Sequence, residues 1–147
     1  MSNDRNGCKE NKARSIDVEA KVDKLPEVLG LVDGVLEEAD CPVKTQFEID
    51  VAVEEIFVNI ASYAYAPETG RAIISAEACE DPRSITITFR DRGIQYDPLK
   101  RDDPDTTLSA EERPIGGLGV YIVKTTMDDA QYSYEDGFNV LTIKKNF

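Results

Sequence analysis

Residues 84–93 read SITITFRDRG, and the fold turns on this stretch. Ile85, Ile87 and Phe89 alternate with Ser84, Thr86, Thr88 and Arg90, the period-2 pattern of a strand with one buried face. A second apolar segment, roughly 71–79, lies just upstream and is joined to it by EDPR. So short a link makes the two an antiparallel hairpin, because a parallel crossover needs a dozen residues or more. The chain is therefore not doubly wound.

Outward from that hairpin, the other elements follow by periodicity. RSIDVEA, 14–20, alternates as a strand. LPEVLGLVDGVLEEAD, 25–40, spaces Val28, Leu29, Val32, Val35 and Leu36 along a helical stripe, with Pro26 in the first turn. TQFEIDVAVEEIFVNIASYAY, 45–65, predicts the strongest helix, with Thr45 and Glu48 as a capping box. Residues 92–114 form a long polar stretch of the kind that makes lids or disordered segments. A helix at about 117–127 comes next. QYSYE and FNVLTIKK then flank Asp136-Gly137, a strong two-residue hairpin turn. Hairpin-linked strands with grouped helices predict an α+β class, a two-layer α/β sandwich with helices on one face of a mixed, mainly antiparallel sheet. The expected organisation is a disordered lead, 1–13, and one domain, 14–147.

Composition narrows the function. The chain is 147 residues long, 41% hydrophobic and 31% charged, ordinary for a globular protein with one core. No apolar run approaches the roughly 20 residues that span a bilayer, and the polar start is no secretory signal. The net charge of −12 repels nucleic acid and anionic membranes and suits a basic protein partner. There is no histidine, which excludes a His-based triad, a phosphohistidine intermediate and most zinc enzymes. A general base must be a carboxylate, Lys, Tyr or Cys. Cys8, Cys41 and Cys79 are too scattered for a disulfide framework or a zinc site and read as reduced thiols of a cytosolic protein.

Three features do not fit a bland core. Asp91 continues the parity of Ile85, Ile87 and Phe89, so it points to the apolar side of the sheet. An unpaired carboxylate there costs several kcal/mol, on the order of 3–5. It is either a cap for the turn of DRG or an acceptor at a pocket floor, reserved for a ligand's N–H. Glu55 and Asn59 lie at i and i+4 on one helix face, beside Ile56 and Ile60. They read as a solvated stripe or as a pair in which Asn59 ligates Mg²⁺ and Glu55 acts on a nucleophile beside it. Gly116, Gly117 and Gly119 crowd the start of a helix, where glycine costs about 1 kcal/mol relative to alanine. Such a run is either a turn or a place where backbone N–H groups approach an anion at a helix N-terminus. The Walker Lys-Ser/Thr is absent, so this is no P-loop. Together the features outline a nucleotide pocket with a lid.

The wording of these segments resembles a known family. VEEIFVNIASYAY resembles the N-box of the GHKL (Bergerat-fold) ATPase superfamily, and FRDRGIQYDP its G1 box. RPIGGLGVYIVKTTMDDAQYSYEDGFNVLTI resembles its G2 box and closing hairpin. The closest wording is that of the anti-sigma-factor serine/threonine kinase branch, over roughly 14–145. The resemblance implies that Asn59 holds Mg²⁺ against the ATP phosphates and that Glu55 is the general base. It implies that Asp91 accepts from the adenine amino group, that Gly93 lets adenine approach, and that Gly116, Gly117, Leu118 and Gly119 face the phosphates. Arg113 in the lid becomes a γ-phosphate contact, and Asp97 shapes the lid's base. Tyr63, Gln95 and Tyr96 depart from the usual pattern, and of the adjacent Glu54 and Glu55 only one can face a pocket.

The implied activity is transfer of the ATP γ-phosphoryl to a serine or threonine of a STAS-domain antagonist, with sequestration of a sigma factor, in a cytoplasmic protein, as a homodimer. The alternative is a non-catalytic, ATP-gated binding module of the same fold. A catalytic domain from a histidine kinase is a third reading, against which the lack of histidine counts.

Overall fold

The computed structural model describes residues 13–100 and 117–147. The elements in chain order are β1 (Arg14–Glu19), α1 (Leu25–Glu38), α2 (Val43–Asn59), β2 (Arg71–Cys79), β3 (Ser84–Asp91), α3 (Gly117–Thr126), β4 (Asp129–Glu135) and β5 (Phe138–Asn146). The strands form one sheet in the order β1-β2-β3-β5-β4. All four pairings are antiparallel, so the expected mixed character is absent among the described strands.

Strand parity sets the two faces of the sheet. Ala72, Ile74 and Ala76 of β2, Ile85, Ile87 and Phe89 of β3, and Leu141 and Ile143 of β5 are buried on one face. They meet Val28, Val32, Val35 and Leu36 of α1, with Ile49, Ala52, Val53, Ile56 and Phe57 of α2. Each large side chain buried in this way contributes about 1.5–3 kcal/mol. The helices therefore cover one face only, as expected for an α+β sandwich.

Two ends of the predicted helix 45–65 differ from expectation. α2 begins at Val43, with Pro42 in the N-cap position and no side-chain cap. Gln46 N–H donates to Pro42 O at 2.9 Å, so the proline starts the helix and Thr45 already lies inside it. The Thr45–Glu48 capping box does not form. At the other end the α-helix stops at Asn59 and widens into a π turn, Ile60–Ala64. The turn brings Ala64 O to Ile94 N–H at 2.9 Å, tying the end of the helix to the loop after β3.

Two further details hold the ends of the layers. Arg83, in the β2–β3 turn, donates to Ala39 O and Asp40 O at 2.5 and 2.8 Å, closing the C-terminus of α1. Asp136 and Gly137 carry φ of 54° and 83°, the paired positive angles of the tight turn expected there. Cys41 is free and buried, whereas Cys79 is disulfide-bonded, against the expectation of reduced thiols. The lead 1–12, Arg113 and Gly116 lie outside the described residues.

Candidate functional site

β3 carries its alternation through to its last residue, so Asp91 enters the core side of the sheet and is only 6% exposed. Directly across the ladder stands Asn139 of β5, also buried. Its amide nitrogen donates to Asp91 Oδ1 at 3.0 Å, and Gly93 N–H donates to the same oxygen at 2.9 Å. The carboxylate is thus anchored through one oxygen on the floor of a cavity of about 470 Å³. That volume lies within the ordinary range of small-molecule pockets.

Asn139 holds more than Asp91. Its amide also donates to Gly93 O at 3.3 Å and Ile94 O at 3.0 Å, and its oxygen accepts from Tyr96 N–H at 3.1 Å. The same oxygen takes the Tyr132 hydroxyl of the edge strand at 2.5 Å. Burial raises the Tyr132 phenol, a rise opposed by the Tyr96 backbone and aided by Asp97, Asp91 and Tyr134. It therefore remains a neutral donor. Sequence reasoning did not single out Asn139. The signal was present, since Asn139 keeps the parity of Leu141 and Ile143, as Asp91 keeps that of Phe89.

Apolar residues surround this floor. Ile56, Ile60, Phe89, Val120 and Leu141 line the cavity, and Ile94, Tyr96 and Tyr63 stand at its rim, 51–70% exposed. A lone acid in apolar walls favours a flat ligand presenting an N–H donor. Asn59, at the end of α2, lines the same cavity. Among the described residues no cluster of His, Cys, Asp or Glu could hold a metal by itself. Asn59 offers one hard oxygen, which fits Mg²⁺ shared with a ligand's phosphates.

Glu55 lies one turn before Asn59, half-buried, while Glu54 is exposed. A Cβ added at Gly119 would strike the Glu55 carboxylate oxygen and lie 3.2 Å from its Cδ. Glu55 is therefore tucked against the first turn of α3, and it is the one of the adjacent pair turned toward the site. Gly117 opens α3, with Leu118 and Gly119 following in that turn. The N-terminal end of α3 thus approaches Glu55 and the cavity wall at Val120.

Gly93 packs against the π turn that follows α2. A Cβ there would run into the carbonyl oxygen of Ala64 in the π turn. The close approach that it allows in this structure is between two backbone segments. Asp97 accepts from Leu99 N–H at 2.9 Å, which caps the short turn Pro98–Lys100 and shapes the base of the stretch that follows.

The family described as histidine kinase-like ATPase domain matches residues 18–145. The chain is 33% identical over 101 residues to a serine-protein kinase RsbW of Bacillus cereus. It is 32% identical over the same length to that of Bacillus thuringiensis (strain Al Hakam). These matches cover 66% of this chain and 62% of each relative, so the chain spans under two thirds of their length. The crystal structure of the RsbU and RsbW domains of Rv1364c from Mycobacterium tuberculosis superposes with a TM-score of 0.64 at 15% identity. That likeness covers 91% of this chain and 32% of the other, and it concerns the fold alone.

Proposed function

The chain belongs to the histidine kinase-like ATPase family, and from that premise we propose that its cavity binds Mg-ATP and that it phosphorylates a serine or threonine of a protein antagonist. The observation that carries the reading is Asp91, a buried acid held through Oδ1 by Asn139 and Gly93 on an otherwise apolar floor. Adenine supplies the flat ring and the exocyclic amine which that floor selects. The triphosphate then runs toward Asn59 and the first turn of α3, where Gly117, Leu118 and Gly119 present backbone N–H groups. Gly116 and Arg113 belong to the same reading, as phosphate contacts supplied by the lid.

When bound, Mg²⁺ would neutralise phosphate charge. Asn59 would contribute its amide oxygen to that ion. The acceptor hydroxyl oxygen attacks the γ-phosphorus as the bond to the bridging oxygen breaks, leaving ADP. Glu55 takes the hydroxyl proton. Positioning and charge stabilisation supply most of the acceleration. The target fold is a STAS domain, and a sigma factor is the protein sequestered, in the cytoplasm. No helix among the described residues is long and apolar enough to cross a membrane.

The test is incubation with labelled ATP, Mg²⁺ and STAS-domain proteins, followed by phosphoserine mapping. Glu55→Gln is expected to lower transfer by about 100-fold or more while ATP affinity stays within about threefold. Tight ATP binding with no transfer to any STAS protein would favour a non-catalytic, ATP-gated module instead.

A further inference from the structure

The outward side of α2 carries a second surface. Val43, Phe47, Val51 and Val58 recur at i, i+4, i+8 and i+15, the spacing of one helical face. The core residues Ile49, Val53, Ile56 and Phe57 occupy the opposite side of the same helix. Val43 is 83% exposed and Phe47 68%, and Val51 and Val58 are half-buried. Single exposed apolar side chains are normal, but aligned ones mark contact surfaces.

Charge decides what fits there. On the α1 side of the stripe, Asp50 of α2 meets Asp33 of α1, with Glu37 one turn further along. Oδ1 of both Asp33 and Asp50 is buried, and the two carboxyls hydrogen-bond each other through the proton that Asp50 keeps. Glu37 accepts from the Gln46 amide at 3.5 Å. None of these acids takes part in an ion pair among the described residues. Arg83, whose charge acts on Cys41, is committed to the Ala39 and Asp40 carbonyls. Burial, together with Asp33 and then Glu37, pushes Asp50 up to about 8. Cys41, beside Asp50 in the connection between the helices, stays a thiol because burial raises it further. The pair keeps a proton where a cation could stand in its place.

We propose that this face of α2, with the Asp33–Asp50 pair along its edge, is a docking surface for a basic amphipathic helix of a partner protein. Apolar side chains at helical spacing cover Val43, Phe47, Val51 and Val58. An arginine at their flank bridges the two carboxyls, since its planar fork presents several donors to paired oxygens. A second copy of this chain does not suit the surface, because it would bring Glu54 and the acid pair against their own kind at −12 per chain. The site uses a different face of α2 from Asn59 and does not depend on phosphotransfer. Binding has a signature, since the incoming cation lets Asp50 ionise and a proton is released.

The test uses the full chain and a helical peptide with leucines at i, i+3, i+4 and i+7 flanked by arginines. Its control is the twin in which citrulline replaces each arginine. Titration calorimetry in two buffers of different ionisation heat reads affinity and proton release, and amide shifts locate the contact. The arginine peptide is expected to bind about tenfold tighter than its twin, more tightly as pH rises toward 8, with shifts on α1 and α2. Phe47→Ser and Asp50→Asn are each expected to weaken it about fivefold or more, and Asp50→Asn to abolish proton release. ATP-analogue binding by both variants stays unchanged, which keeps this surface separate from the nucleotide cavity. Equal binding of the two peptides, parental affinity in both variants, or shifts confined to another face would overturn the proposal. So would protection of the stripe by self-association.

Discussion

Asp91 and Gly119 show how single atoms divide binding from chemistry. Asp91→Asn replaces an acceptor by a group that must turn its NH₂ either toward the donors of Gly93 and Asn139 or into the cavity. We expect ATP affinity to fall about tenfold or more, with a much smaller loss of thermal stability. Calorimetry and melting check this, and equal losses in both would return Asp91 to a structural role. Gly119→Ala places a methyl group against the Glu55 carboxylate. The far end of a flexible side chain can yield, and alanine favours the helix by about 1 kcal/mol. The expected outcome is therefore an unchanged or slightly raised melting temperature, with phosphotransfer reduced more than ATP binding. A kcat loss without a KM change in single-turnover assays would bear this out, and wild-type kcat would remove Glu55 from the proton path.

At the scale of elements, the π turn after Asn59 and the loop after β3 form one joint. Ile94 N–H donates to Ala64 O, and Tyr65 extends the joint by donating from its hydroxyl to Arg71 O at 2.6 Å while accepting from Arg92 N–H at 2.7 Å. The wider helical turn and the close backbone contact at Gly93 thus fix where the cavity's rim residues Ile94 and Tyr96 stand. Gly93→Ala drives a Cβ into the Ala64 carbonyl, which sits on backbone and cannot swing away. We expect a loss of about 1–3 kcal/mol, several degrees of melting temperature at this chain length, with ATP affinity falling alongside. Unaltered melting would mean that the joint relaxes freely.

Across the whole molecule the acids dominate, and one of them gives stability a pH dependence. Asp50 stands near 3.8 in the unfolded chain and about 8 in the folded one. The native state therefore holds a proton that the unfolded state has released, and stability falls as pH climbs between those values. Above about 8 the contribution levels off. Urea midpoints measured across this window should decline less steeply in Asp50→Asn than in the parent, and identical slopes would exclude the acid pair as the cause. The same −12 surface leaves the exposed stripe of α2 unsuited to self-pairing and open to a basic partner.

Local periodicity was enough for much of this. The alternation through Phe89 to Asp91, the tight turn at Asp136-Gly137, and the i, i+4 placement of Glu55 and Asn59 are properties of neighbouring residues, so they could be read along the chain. Parity even placed Asn139 on the inward face, but nothing local says that it stands opposite Asp91, 48 residues away. The collision awaiting a Cβ at Gly93 and the meeting of Asp33 with Asp50 are likewise decided by contacts between distant segments. Side-chain period determines which way a residue points. Only the packed sheet and helices determine what it meets there, because that depends on register and on layers that no short window of sequence contains.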